Sequence, residues 1–116
     1  MGVQDPFVYT DREGVFHAVF HNQLLGDNER VCGGHAFSLN GIDWTYTGTA
    51  WGSTVEFEDG TNYTYSRRER PHLIFDDALD PHVITGLTTG VMYGPAAPTF
   101  LPGQDACYTL YQPVAV

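Results

Sequence analysis

The chain contains no lysine. Its positive charge comes from five arginines against fourteen acidic residues, a formal net charge of −9 over 116 residues. Nucleic-acid binding rests on neutralising phosphates with Lys and Arg, so this balance excludes a nucleic-acid partner. No run of about 18 apolar residues occurs, so nothing is expected to span a membrane. The N-terminal MGVQDPFVYT lacks the basic leader and apolar core of a secretion signal. Two cysteines, Cys32 and Cys107, are too few for a disulfide framework or a zinc site. They leave either one disulfide or two thiols. No segment sustains a helical period, and no cofactor is expected.

What the chain does have is apolar and aromatic. Hydrophobic residues make up 42% and aromatics 14%, enough for one domain with a real core, and thirteen glycines mark tight turns. Short strands alternate with turn signals. FVYT, DREG and VFHAVFH read as a first hairpin, and HAFS, LNGID and WTYTG as a second around Asn40-Gly41. VEFE and NYTYSR flank Asp59-Gly60-Thr61 as a third, and RPHLIF, DDALD and PHVITGL form a fourth. Residues 22–34 read as a loop with room for one helical turn, and CYTLYQPV as a closing strand. Asn62-Tyr63-Thr64 is an acceptor sequon, a pattern common by chance.

Sliding the chain on itself by 65 residues superposes the first and fourth hairpins. Pro6 meets Pro71, Asp11 meets Asp76, His17 meets His82, and Val19 meets Ile84. The expected fold class is therefore all-β, with antiparallel four-stranded blades of a β-propeller. Residues 1–90 form the blade region, with the repeat at 4–21 and 69–86, and residues 91–116 a Pro-rich segment with its closing strand. Propellers typically need four to eight blades, so about one and a half to two blades imply missing N-terminal blades or self-assembly.

Two stretches resemble the active-site strands of five-bladed propeller glycoside hydrolases, the arabinanase/xylosidase and invertase/levanase groups including glycoside hydrolase family 43. Asp5-Pro6-Phe7-Val8-Tyr9, with its acidic turn ending at Gly14, resembles the family's "DP" strand. Glu69-Arg70-Pro71-His72-Leu73 resembles its "E-x-P-h" strand. Ser38-Leu39-Asn40-Gly41-Ile42-Asp43-Trp44 is similar to an "S-x-D-G-x-x-W" hairpin, with Asn40 in place of Asp. The resemblance implies O-glycosyl hydrolysis of a carbohydrate outside the cell, with Glu69 as general acid and Asp5 as its modulator. It implies a base or nucleophile Asp on an earlier blade, which nothing upstream of Asp5 supplies. The family's usual Gly after the acid is Arg70 here, which points also to a binding or structural propeller part without catalysis.

Glycoside hydrolysis needs two carboxyl groups across the scissile bond. Strand alternation would put Arg68 and Arg70 on one face, free to pair with Asp76, Asp77 or Asp5, and leave Glu69 facing a cleft. Arg68, Arg70, His72 and Trp44 are the candidate substrate contacts. Each has a plainer alternative. Arg67, Arg68, Arg70 and Glu69 also read as a surface ion-pair cluster worth under about 1 kcal/mol per pair. Asp5-Pro6 reads as a turn opener, and Trp44, Trp51, Tyr46, Tyr63 and Tyr65 as core rather than sugar platforms. No metal site is expected. His17 and His21 share a strand face but stand about 13 Å apart, too far to chelate one ion. His35, His72 and His82 come from separate strands.

Overall fold

A computed structural model describes residues 3–22, 32–65, 67–76, 78, 80–92 and 107–114. The Pro-rich stretch 93–106, most of the loop expected over 22–34, Asp77 and the side chains of Cys32 and Cys107 lie outside the described residues. The described chain is all-β, with nine strands and no helix. All strand pairings are antiparallel. Strands β1 (Val3–Thr10), β2 (Phe16–Asn22), β3 (Cys32–Ser38) and β4 (Thr45–Trp51) form one sheet in chain order. β5 (Thr54–Glu56) and β6 (Asn62–Thr64) form a small hairpin. β7 (Arg67–Asp76), β8 (Asp80–Met92) and β9 (Cys107–Pro113) form a third sheet.

The turns form where side-chain oxygens satisfy the backbone. Asp11 Oδ1 accepts from the N–H groups of Glu13 and Val15 at 2.9 and 3.0 Å, and Gly14 supplies a left-handed φ of 82°. In the second turn Asn40 Oδ1 accepts from the N–H groups of Ile42 and Asp43, both at 2.8 Å. Asn in place of the motif's Asp supplies the same acceptor oxygen and also donates its Nδ2–H to Asp43 Oδ2 at 2.9 Å. Ser38 Oγ accepts from Gly41 N–H at 2.8 Å. In the third turn Asp59 Oδ1 accepts from the hydroxyl and N–H of Thr61 at 2.6 and 2.9 Å.

Those bonds hold the Asp59 carboxyl below its usual range, the Thr61 hydroxyl foremost and the Thr61 N–H next. A carboxyl lowered by folding stabilises the native chain above the unfolded value of about 4, and that contribution is lost as pH falls through the folded value. Asp59→Asn keeps the acceptor but loses the charge. It is expected to lower stability slightly at neutral pH, where the ionised carboxyl contributes, and to make the acid limb of unfolding shallower below about pH 4. Urea unfolding at a series of pH values checks this; an unaltered acid limb would refute it.

The core lies between the first and third sheets. Val19, Trp51, Leu73 and Leu87 are buried together, with Phe7, Tyr9, Phe75 and Ile84 packed against them. A second cluster of Val55, Tyr65, Val91 and Leu110 seats the β5–β6 hairpin on the third sheet. Ala18, Phe20 and Ala36 are buried on the opposite face of β2 and β3, as the alternation along β2 requires. Burial of each large side chain contributes about 1.5–3 kcal/mol. β7 packs across β1, β2 and β3, so the strands that open the two larger sheets lie side by side.

Both of these strands are interrupted at their X–Pro step. Among the described residues the non-glycine positions with positive φ are Asp5, at 53°, and Arg70, at 54°. Each sits where the ladder register shifts, between Gln4 and Phe7 in β1 and between Glu69 and His72 in β7. A residue before proline normally stays extended, so each step holds a left-handed residue against local preference, at roughly 1–3 kcal/mol.

The returning strands do not keep the 65-residue spacing. Phe7 pairs with Val19 while His72 pairs with Thr88, so an offset of 72 − 7 = 65 becomes 88 − 19 = 69. Further register shifts between Ile74 and Asp76 account for the change. Tyr9 faces His17, whereas Ile74 faces Gly86. The expected matches of His17 with His82 and Val19 with Ile84 therefore do not hold in the paired strands.

Candidate functional site

The bulges bring together three residues from three strands. Asp5 sits in the β1 bulge, His21 faces Gln4 on β2, and Glu69 borders the β7 bulge. One donor atom from each lies within 4.8 Å of the other two. Bulges re-aim side chains that simple alternation would direct elsewhere, and here both do so at one seam.

The three differ in exposure. His21 is 1% exposed, Asp5 is open to solvent, and the Glu69 side chain is 22% exposed. His21 Nδ1 stands 3.5 Å from Glu69 Oε2, close enough for charge interaction but beyond a good hydrogen bond. A buried imidazole thus backs a half-buried carboxyl, and a solvent-facing carboxyl stands beside it. The arrangement suits proton exchange with a bound group, and its nitrogen and two oxygens are a donor set that also suits a divalent cation.

The four arginine, histidine and tryptophan candidates fall in different places. Arg70 is exposed at the bulge next to Glu69. His72 is exposed at the far edge of the bulge, its ring edge-on to Phe7 with centroids 4.6 Å apart. Arg68 is 2% exposed; its guanidinium donates to Gly52 O at 2.7 Å and to Gln112 Oε1 at 2.9 Å. The expectation that Arg68 and Arg70 share a face is corrected: one is buried and the other exposed, because the bulge breaks the alternation between them. Trp44 lies in the β3–β4 turn and is 40% exposed. That turn adjoins Ser38, which pairs with Phe16 at the opposite end of β2 from His21. Five residues of strand put it about 17 Å along the sheet from the carboxyls, so the fold does not bring it to them.

His21 was not among the residues expected here. The sequence shows it on the same strand face as His17, yet its partners come from residues 5 and 69, and only the bulges disclose that. Comparison with known protein families, with curated proteins and with solved structures finds no match to this chain.

Proposed function

We propose that this chain is part of a glycoside-hydrolase-like β-propeller that acts on a carbohydrate outside the cell. The four-stranded sheet is one blade, and the third sheet belongs to the next. Further blades, or further copies of the chain, complete the ring. Glu69 is the proton donor and Asp5 the carboxylate that tunes it, with His21 fixing their spacing from below. The observation that carries this reading is the meeting of Asp5 and Glu69, 69 − 5 = 64 residues apart, at two bulged X–Pro steps.

A second reading is a carbohydrate-binding propeller part without turnover. Arg70 favours it: an exposed guanidinium beside Glu69 offers hydroxyl groups several donors but crowds the leaving-group side.

Turnover of aryl glycosides and polysaccharides by the assembled ring, which alone can supply the base, measured beside calorimetric sugar binding, separates the two. On the first reading Glu69→Gln lowers turnover by at least about 100-fold, the usual range for loss of a general acid, with binding held within a few-fold. Binding that survives Glu69→Gln in an assembled ring that never turns over sugar supports the second. An assembled ring that neither binds nor hydrolyses any sugar refutes both.

A further inference from the structure

At the other end of β2, on the same face as Val19, a second polar group crosses the first sheet. Asp11 Oδ2 lies 2.8 Å from His17 Nε2, and His17 Nδ1 lies 2.9 Å from His35 Nε2. His35 Nδ1 lies 2.6 Å from Thr47 Oγ1, which is also 3.1 Å from the carbonyl oxygen of His35. A carboxylate, two imidazoles and an exposed hydroxyl are thus joined end to end, from the β1–β2 turn to β4.

We propose that Asp11, His17, His35 and Thr47 form a one-proton relay in which uptake of a proton reverses the tautomer of His35. The neutral state has a single consistent set of hydrogens. An ionised carboxylate only accepts, so His17 Nε2 carries the hydrogen. His17 Nδ1 then accepts from His35 Nε2–H, and His35 Nδ1 accepts from the Thr47 hydroxyl.

One added proton reverses the donor in the His17–His35 and His35–Thr47 contacts and leaves His17 Nε2 donating to Asp11. The incoming proton takes His35 Nδ1, while the His35 Nε2 hydrogen passes to His17 Nδ1. His17 becomes an imidazolium against the Asp11 carboxylate, and His35 stays neutral with its hydrogen on Nδ1. That hydrogen now goes to Thr47 Oγ1, whose own hydrogen turns to the His35 carbonyl. The alternative acceptor at 3.1 Å is what allows the reversal.

The surroundings decide where the proton rests. Burial first, then the charge of His17, pushes the His35 imidazole down, which disfavours charge on that ring. The hydrogen bond from His17 first, then the Val15 N–H, holds the Asp11 carboxyl below its usual range and keeps it ionised. From β1 the Tyr9 ring stacks on His17 with centroids 5.0 Å apart. Burial, then Asp11, pushes that phenol up, so it stays neutral. In the same turn Glu13 is exposed, and Arg12 pairs with Asp80 at the start of β8.

The relay makes an exposed hydroxyl pH-dependent. Above the transition Thr47 Oγ1 keeps its lone pairs for a solvent or ligand donor. Below it the oxygen accepts from His35 and donates to the carbonyl, so a donor ligand is disfavoured.

Nitrogen-15 NMR of the histidine rings in the intact chain across about pH 5–8, the range in which imidazoles titrate, tests this. His35 should pass from the Nε2–H to the Nδ1–H tautomer with the same midpoint as protonation of His17. Asp11→Asn keeps the oxygen that accepts from the Glu13 and Val15 N–H groups and turns the atom facing His17 Nε2 from an acceptor into a donor. His17 then carries its hydrogen on Nδ1 and His35 carries its own on Nδ1 even when both rings are neutral, so the tautomer change of His35 should be lost. Amide spectra of the variant report whether the fold is retained. Separate midpoints for the two rings, a His35 tautomer that never changes in the parent, or a folded Asp11→Asn chain whose His35 still changes tautomer with pH would each overturn the relay.

Discussion

Replacing Arg68 by Met is expected to lower stability by about 2–4 kcal/mol, while Arg70→Gly raises it by up to about 1 kcal/mol. The two arginines are two residues apart in one strand, yet their environments are opposite. Arg68 is 2% exposed, and its guanidinium ties the end of β4 through Gly52 O to β9 through Gln112. Met fills much of the volume but donates no hydrogen. The Gly52 carbonyl and the Gln112 amide oxygen would then lose part-buried, charge-assisted bonds worth about 1.5–3 kcal/mol each, partly offset by the desolvation the guanidinium no longer suffers. Lys is no substitute, since one ammonium on a flexible stem does not reproduce the planar fork.

Arg70 has none of this support in its burial. It is exposed and holds a φ of 54°, where glycine has no steric penalty. For a chain of this size, each kilocalorie moves the melting temperature by roughly 3–6 °C. Calorimetry should therefore show Arg68→Met melting about 6 °C or more below the parent and Arg70→Gly at or slightly above it. Equal melting points for the two variants would mean that neither burial nor backbone conformation distinguishes these arginines.

The same pair shows where sequence reading stops. The turns were legible because Asp11, Asn40 and Asp59 act on residues two to four positions away, and such bonds depend on little but local chemistry. The strands were legible for a similar reason, since apolar residues alternate along them. The pairing of Asp5 with Glu69 was indicated through a resemblance and through two prolines at matching positions. Their meeting at His21 was not, because it depends on two bulges, and a bulge converts the period-two rule into its opposite for everything beyond it. That rule puts Arg68 and Arg70 on one face, and the bulge separates them. The His17–His35 contact was equally hidden, because nothing in the sequence fixes the register of β2 against β3.

Gly33 is the position where one added methyl group should do most damage. A Cβ built there would stand 2.1 Å from two carbons of the Trp51 indole, far inside contact distance. Gly33 and Trp51 face each other across β3 and β4, so the ring lies flat over the glycine backbone. The ring cannot shift cheaply. Trp51 is 7% exposed, packs with Val19, Leu73 and Leu87, and donates its Nε1–H to the Arg68 carbonyl at 3.3 Å. Displacing it opens the main core and releases the strand that carries Glu69 one residue further on. Gly33→Ala is therefore expected to cost about 3 kcal/mol or more, approaching the cost of deleting a buried tryptophan. Gly52→Ala is the matched control, because a Cβ there meets nothing within 4 Å, and its effect should stay within about 0.5 kcal/mol. Denaturant unfolding gives both values. Tryptophan emission gives the mechanism, since Trp44 is already 40% exposed and only Trp51 can move from core to solvent. A red shift in native Gly33→Ala that is absent from Gly52→Ala places the indole over Gly33; equal stability and equal emission would remove Trp51 from that position.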